Sequence, residues 1–211
     1  MPTPKPVVGI LALQGDFEAH RRALEQSGAE AREVRTEGDL SQIDGLIIPG
    51  GESTTMLKLL NEEKLFEPVH QFGFSKPVFG TCAGAILLAK RVLNPEQQAL
   101  GLMDMTVERN AYGRQIDSRI EQLSLNGVPL EAVFIRAPVI RNVGGTARVL
   151  MTYLGNPVLV EQGMHMAATF HPELANDFRI HRRFVENVAE RTGQHLLATP
   201  SASDFSGERR K

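Results

Sequence analysis

Short, continuously apolar runs alternate with amphipathic stretches through the first half of the chain. Three of the runs are typical of parallel strands that are buried on both faces: Val7–Leu13, Asp44–Pro49 and Pro77–Gly80. A helical pattern follows each run: Phe17–Ser27, Ser53–Glu63 and Ala83–Val92. Asp16 and Gly28 are predicted to bound the first helix, and Ser53 or Thr54 to cap the second. The repeated order of strand and helix predicts a parallel sheet with helices on both faces.

The second half of the chain has a different pattern, with strand-like runs joined by short turns. These runs are Met103–Glu108, Arg119–Leu125, Ala132–Arg136, Val149–Tyr153, Val158–Glu161 and His165–Phe170. They predict a mixed or antiparallel extension of the same sheet. Asp177–Arg191 is predicted to form the last helix, because its apolar residues recur at helical spacing. We expect one domain over residues 1–196 and a disordered polar tail over residues 197–211.

Composition limits the function classes. The chain has 211 residues, a formal net charge of −2 and a single cysteine, Cys82. It therefore has no broad attraction for nucleic acid, no internal disulfide and no Cys/His cluster with zinc spacing. The apolar run at Val7–Leu13 is shorter than the roughly 20 residues that span a membrane. We expect a cytoplasmic protein that does not bind a membrane.

The single cysteine lies on a predicted strand-to-helix turn with the pattern G-x-C-x-G, from Gly80 to Gly84. This is the cysteine counterpart of the nucleophile elbow, in which flanking glycines allow a strained central residue. The N–H of Ala83 would then point to the place where an oxyanion forms. A buried cysteine that only packs against its neighbours is the alternative for this motif alone.

A base for Cys82 is predicted in the segment His171-Pro172-Glu173. Proline keeps His171 extended, so that Glu173 lies on the same side of the chain and can orient the imidazole. A strand end followed by a capping turn is the alternative for this segment alone. The remaining histidines are expected to be solvated on helices (His20, His70, His181), structural within a strand (His165) or near the tail (His195).

Two further features suggest a small zwitterionic substrate. The turn Gly50-Gly51-Glu52-Ser53 could offer backbone N–H groups to an oxygen, with Glu52 close to an ammonium group. Arg109 and Arg136 end strand-like runs and could bind a carboxylate through the planar guanidinium. A capped turn and exposed strand-end charges are the simpler alternatives, and Arg114 and Arg141 are comparable candidates.

Taken in order, PGGEST, GTCAG, VERNAYGRQIDS, FIRAP and FHPEL resemble the glutaminase subunits of pyridoxal 5′-phosphate synthases. These belong to the triad, or class I, glutamine amidotransferases, and the resemblance runs from ALQGDFEAH to the last helix. It implies a flavodoxin-like three-layer α/β/α fold with a mainly parallel central sheet. It also implies a Cys82–His171–Glu173 triad that hydrolyses glutamine through a thioester and needs no metal or organic cofactor.

The same resemblance implies how substrate and partner are bound. Backbone amides of the Gly50-Gly51 turn and of Ala83 would form the oxyanion hole. L-glutamine would be held by Gly50, Gly51, Glu52, Ser53, Arg109, Ile135 and Arg136. The ammonia would pass to a (β/α)-barrel synthase subunit within a large hetero-oligomer. A free-standing cysteine hydrolase and a non-enzymatic binding domain remain the alternatives.

Overall fold

The computed structural model describes residues 5–111 and 118–193. In chain order its strands are β1 Val7–Leu11, β2 Glu30–Val34, β3 Gly45–Ile48, β4 Val78–Thr81, β5 Ala89–Leu93, β6 Met103–Glu108, β7 Ser118–Leu125, β8 Val128–Ile135, β9 Val139–Val143, β10 Arg148–Tyr153, β11 Asn156–Gln162 and β12 His165–Ala168. Seven of them form one sheet in the order β10-β11-β12-β4-β3-β1-β2. The five strands from β12 to β2 are parallel, and β11 and β10 continue antiparallel.

Helices cover both faces of this sheet. They are α1 Phe17–Gln26, α2 Glu37–Leu40, α3 Ser53–Glu62, α4 Phe66–Ser75, α5 Ala83–Leu88 and α6 Arg179–Thr192, with a 3₁₀ turn at Pro172–Leu174. Successive residues of β3 point to opposite faces. Leu46 and Ile48 enter the apolar cluster under α2 to α5, whereas Ile47 enters the cluster under α1 and α6. The predicted three-layer α/β/α architecture is confirmed.

The prediction that the whole second half extends the central sheet is wrong in part. Only β10, β11 and β12 join it, whereas β5, β6 and β9 form a separate three-stranded sheet. The β7–β8 hairpin forms a third sheet, and its residues Leu125, Leu130 and Phe134 pack in the cluster under α1 and α6. Apolar faces on these small sheets explain why their sequence pattern resembles that of the main sheet.

Several element boundaries differ from the predictions. Helix α5 ends at Leu88 rather than Val92, because the chain turns extended at Ala89 and pairs with β6. The cap of α3 is Glu52, whose carboxylate accepts the N–H groups of Thr54 and Thr55. Elements β2, α2, α4 and β9 were not predicted. Asp16 does cap α1, with Oδ1 accepting from the N–H of Ala19 at 3.1 Å.

Some predictions fall on other parts of the chain. The domain boundary at 196, the tail 197–211, His195 and Arg114 lie outside the described residues. Among the helices that are described, none combines the length and the apolar character needed to cross a membrane.

Candidate active site

The predicted elbow is present between β4 and α5. Cys82 has φ 48° and ψ −102°, a strained conformation for a residue with a side chain. A Cβ on Gly80 would come within 2.4 Å of the backbone of Gly84, and one on Gly84 within 2.0 Å of the carbonyl oxygen of Ile48. Neither position can therefore carry a side chain, because the backbone of a neighbouring segment lies too close. The side chain of Cys82 is nearly buried, with 5% of the residue exposed.

His171 comes to the same edge because its strand lies beside the strand of the elbow. β12 and β4 are parallel neighbours, and the N–H of Cys82 donates to the carbonyl of Ala168 at 2.8 Å. The backbone N–H of His171 is fixed by the carbonyl of Val133 at 2.8 Å. Its Nδ1 lies 2.8 Å from Oε1 of Glu173, which is 1% exposed. The three residues predicted for the triad are thus brought together.

The electrostatics favour an imidazolium between a sulfur and a carboxylate. Burial by itself lowers the pKa of His171, but hydrogen bonds and charge from Cys82 and Glu173 outweigh it and raise the pKa to about 10. Burial acts to raise the pKa of Glu173, yet the imidazoles of His20 and His171 hold it at about 2. His171 is therefore suited to hold a proton beside the sulfur of Cys82.

The glycine turn packs directly against this pair. A Cβ on Gly50 would lie 2.4 Å from Cε1 of His171 and 3.3 Å from Cβ of Cys82, so that no side chain fits there. Gly51 has φ 137°, and a Cβ on it would meet the amide of Gln14 at 3.0 Å. The Nε2 of Gln14 donates to the carbonyl of Glu52 at 2.6 Å. The turn is therefore held from the loop after β1, a contact that sequence reasoning missed.

The other predicted residues of the glycine turn are already engaged. Glu52 caps α3 and also accepts from Nη2 of Arg109 at 3.2 Å. Burial opposes the low pKa of Glu52, but the backbone hydrogen bonds from Thr54 and Thr55 hold it at about 2. Ser53 is buried, and its hydroxyl donates to Oε1 of Gln97 at 3.1 Å. Glu52 therefore serves as a cap and an ion-pair partner, rather than as a free acceptor for an ammonium group.

The predicted arginines occupy different places. The Arg109 side chain is only 12% exposed, so the exposed strand-end alternative does not apply, and Nη2 also donates to Thr54. Arg136 is exposed with φ 44°, directly after the carbonyl of Ile135, which lies 3.8 Å from Sγ of Cys82. Arg141 instead donates to Glu108 on β6. Arg109, Ile135 and Arg136 thus belong to the site region.

Two histidines contradict the sequence prediction. His20 and His181 were expected to be solvated, because charged residues flank both, but each is completely buried. His20 follows Asp16 by one helical turn and shares the buried face of α1 with Ala23 and Leu24. Helical spacing of His20 with these two residues is the signal that could have identified its burial. His165 is a buried structural residue, as expected: its Nδ1 accepts from the N–H of Val78 at 3.2 Å.

Within residues 5–111 and 118–193, no group of three or more His, Cys, Asp or Glu side chains could hold a metal ion. The strained cysteine beside an imidazole that is paired with a buried carboxylate can support nucleophilic attack by sulfur, with His171 as acid and base.

Comparison with known proteins defines the class. Residues 10–190 match the model of the SNO glutamine amidotransferase family, so the chain belongs to that family of enzymes. A pyridoxal 5′-phosphate synthase subunit PdxT from Solibacter usitatus is 58% identical over 189 residues, which cover 86% of this chain and 98% of the relative. The PdxT subunit of Shouchella clausii is 50% identical, covering 88% of this chain and 96% of the relative.

Solved structures agree with this assignment. A crystal structure of a glutamine amidotransferase superposes with a TM-score of 0.81 at 48% identity and covers 86% of this chain and 98% of its own. The structure of PurLQS from Thermotoga maritima, at 19% identity, has a TM-score of 0.59 and covers 89% and 97% of the two chains. The second likeness concerns the fold alone.

Proposed function

We propose that this chain hydrolyses L-glutamine to L-glutamate and ammonia, and that Cys82, His171 and Glu173 are its catalytic triad. The observation that carries the proposal is the strained cysteine at the end of β4 beside an imidazole whose Nδ1 is 2.8 Å from a buried carboxylate. Cys82 lies beside His171, and His171 is paired with Glu173; this arrangement suits a nucleophile, a base and an acid that orients the base in acyl transfer.

In the proposed reaction, the sulfur of Cys82 attacks the side-chain amide carbon of glutamine and the carbonyl oxygen becomes an oxyanion. His171 then donates its proton to the amide nitrogen and the C–N bond breaks. Ammonia is released, and a γ-glutamyl thioester on Cys82 remains. Neutral His171 next takes a proton from water, whose oxygen attacks the thioester carbon. Collapse of this second intermediate breaks the C–S bond and releases glutamate.

Glycine-turn and strand-end groups would hold the substrate. Backbone N–H groups of Gly51 and Ala83 would stabilise the oxyanion, since each lies next to a residue that contacts or bears the reacting groups. Arg109, Ile135 and Arg136 would bind the amino-acid end of glutamine, together with the turn Gly50-Gly51-Glu52-Ser53. Because Arg109 is paired with Glu52, we expect it to bind a carboxylate without losing that contact, as a guanidinium has five donors.

The partner is inferred from the relatives named PdxT, which are subunits of pyridoxal 5′-phosphate synthase. We infer that this chain is likewise the glutaminase subunit of such a synthase. It would deliver ammonia to a (β/α)-barrel synthase subunit within a hetero-oligomer.

The experiment measures glutamate formation from glutamine by this chain alone and mixed with a pyridoxal 5′-phosphate synthase barrel subunit. We expect a large rise on mixing and no turnover by Cys82→Ala. Equal rates with and without the subunit would refute the partner. Ammonia release by Cys82→Ala, or faster turnover of another amide, would refute the glutaminase mechanism.

A further inference from the structure

A chain of buried polar groups continues behind the triad, on the side of Glu173 away from His171. Oε2 of Glu173 lies 3.5 Å from Nε2 of His20, which is also 3.3 Å from the hydroxyl of Thr81. The Nδ1 of His20 is 3.0 Å from Nε2 of His181. Both histidines are fully buried, and these contacts join α1, β4, α6 and the 3₁₀ turn at one point.

Two polar atoms in this region decide which nitrogens carry protons. Among the described residues, Oε2 of Glu173 and Nδ1 of His181 are buried atoms without a hydrogen-bond partner. If His20 donated to His181, then Nδ1–H of His181 would be a buried donor without an acceptor, which is costly. In the opposite arrangement, His181 donates to Nδ1 of His20, and the Nε2–H of His20 lies within reach of both the Thr81 hydroxyl at 3.3 Å and the carboxylate at 3.5 Å. Only this arrangement offers Oε2 a donor and leaves no N–H unpaired.

We propose that His20 is a positioning residue for the glutaminase reaction, whose Nε2–H holds Oε2 of Glu173 while His171 occupies Oε1. The proposal rests on the proposed function of the triad. A separation of 3.5 Å is longer than a good hydrogen bond, and closing it needs a shift of roughly 0.5 Å. Hydrogen bonds of catalytic groups often tighten when substrate binds.

The role of His20 follows from the energetics of a buried carboxylate. An ionised side chain that is 1% exposed needs donors at both oxygens, and His171 serves only one of them. Without the second donor, Glu173 can turn away from His171 and no longer fix the ring that faces Cys82. His181 acts one step further away, since it orients the ring of His20.

The groups facing His20 come from four elements. They are Glu173 on the 3₁₀ turn, Thr81 on β4, His181 on α6 and, at the start of its own helix, Asp16; His171 is the other nearby titratable group. Burial outweighs the neighbouring carboxylates and lowers the pKa of His20, and burial is also the main cause that lowers the pKa of His181 to about 3. His20 therefore serves as a neutral donor at pH 7.

The test compares His20→Leu with His20→Gln, because the amide nitrogen of glutamine falls close to the position of Nε2 in histidine. With the synthase subunit present, we expect His20→Leu to lower kcat for glutamine roughly tenfold to a hundredfold, the range of a hydrogen bond to a charged group, with KM little changed. His20→Gln should recover most of this loss. In a Glu173→Gln background, where the carboxylate is absent, His20→Leu should change kcat less than about threefold.

A second readout is independent of glutamine turnover. The pH midpoint of Cys82 alkylation by iodoacetamide should move to higher pH in His20→Leu and return toward the wild-type value in His20→Gln. His165→Leu serves as the control for loss of a buried histidine. It should lower thermal stability and leave the midpoint unchanged.

Three results would overturn the proposal: an unchanged or lower alkylation midpoint in His20→Leu, equal defects in the leucine and glutamine variants, or an undiminished effect in the Glu173→Gln background. If the wild-type chain releases no glutamate with its partner, the proposed function fails instead. In that case the alkylation midpoints still decide the role of His20.

Discussion

His165 begins strand β12, His171 follows shortly after the carboxyl end of that strand, and both are largely buried. His165 is 7% exposed, and the side chain of His171 is 12% exposed. Burial, reinforced by the charge of Arg191, lowers the pKa of His165 to about 4. By contrast, Cys82 and Glu173 overcome burial and raise the pKa of His171 to about 10.

The difference teaches that burial keeps a histidine neutral unless charged partners outweigh it, as Cys82 and Glu173 do at His171. Nδ1 of His165 accepts a backbone N–H from Val78, and burial together with the charge of Arg191 keeps the ring neutral. Nδ1 of His171 faces a carboxylate and therefore carries the proton. The histidine that begins the strand has a structural role, and the histidine beyond the carboxyl end, where parallel sheets place their sites, is the proposed base.

The largest difference in activity is expected between the two variants that each lack one of these imidazoles. His171→Leu should lower kcat for glutamine by roughly 10²–10⁴-fold, the usual contribution of a general acid and base. His165→Leu should keep nearly full activity while it unfolds at a lower temperature, because the N–H of Val78 loses its acceptor. Steady-state glutaminase kinetics and thermal melts measure both. Equal losses of activity would contradict the division of roles.

A smaller effect is expected from displacing His171 without removing it. Gly50→Ala would place a Cβ 2.4 Å from the His171 ring, and a shift of about 1 Å at an active site can cost about a hundredfold in rate. Gly163→Ala, at a turn where a Cβ meets nothing within 4 Å, is the matched control; its φ of 58° predicts a stability loss only. If Gly50→Ala retained full kcat, close packing of the turn against His171 would not matter for catalysis.

The smallest effect is expected in the pH dependence of the free energy of unfolding. His165 should affect its acid side and His171 its alkaline side. The folded-state pKa of His165 lies below the unfolded value of 6.5, so its stabilisation is present above pH 6.5 and lost as pH falls toward 4. The pKa of His171 is raised, so its stabilisation is present below pH 6.5 and lost as pH rises through 10. Each proton changes the free energy of unfolding by at most about 1.4 kcal/mol per pH unit.

Urea unfolding between about pH 4.5 and 9.5 would measure this profile. His165→Leu should make the acid side shallower, although His20 and His181, which are also neutral when folded, still contribute there. His171→Leu should flatten the alkaline side. The assignment is wrong if each substitution changes the opposite side.

The sequence predicted the central sheet and the grouping of Cys82, His171 and Glu173 because their signals are local. Val7–Leu11, Gly45–Ile48 and Val78–Thr81 are apolar almost without interruption, which few other elements produce. The elbow glycines and the HPE segment are adjacent to the groups that they position. In these places the nearest neighbours along the chain determine the structure.

Elsewhere the structure depends on distant contacts or on weak local patterns. Strand β2 has the polar sequence EAREV and is held by pairing with β1 at the sheet edge. Helix α4 contains Pro68 and Gly73, which obscure its helical pattern. His20 was misplaced because its partners, Glu173 and His181, are more than 150 residues away in sequence. The helical spacing of His20 with Ala23 and Leu24 indicates its burial, but no local pattern indicates these two partners.

The backbone angles of Cys82 also constrain how the chain can change. A φ of 48° with ψ −102° is a conformation that glycine adopts at little cost and that a side chain makes unfavourable by about 1–3 kcal/mol. Glycine at position 82 would therefore favour the fold and, on the proposed mechanism, remove the nucleophile. Selection for stability alone would then favour glycine at this position, whereas selection for the proposed activity would retain cysteine.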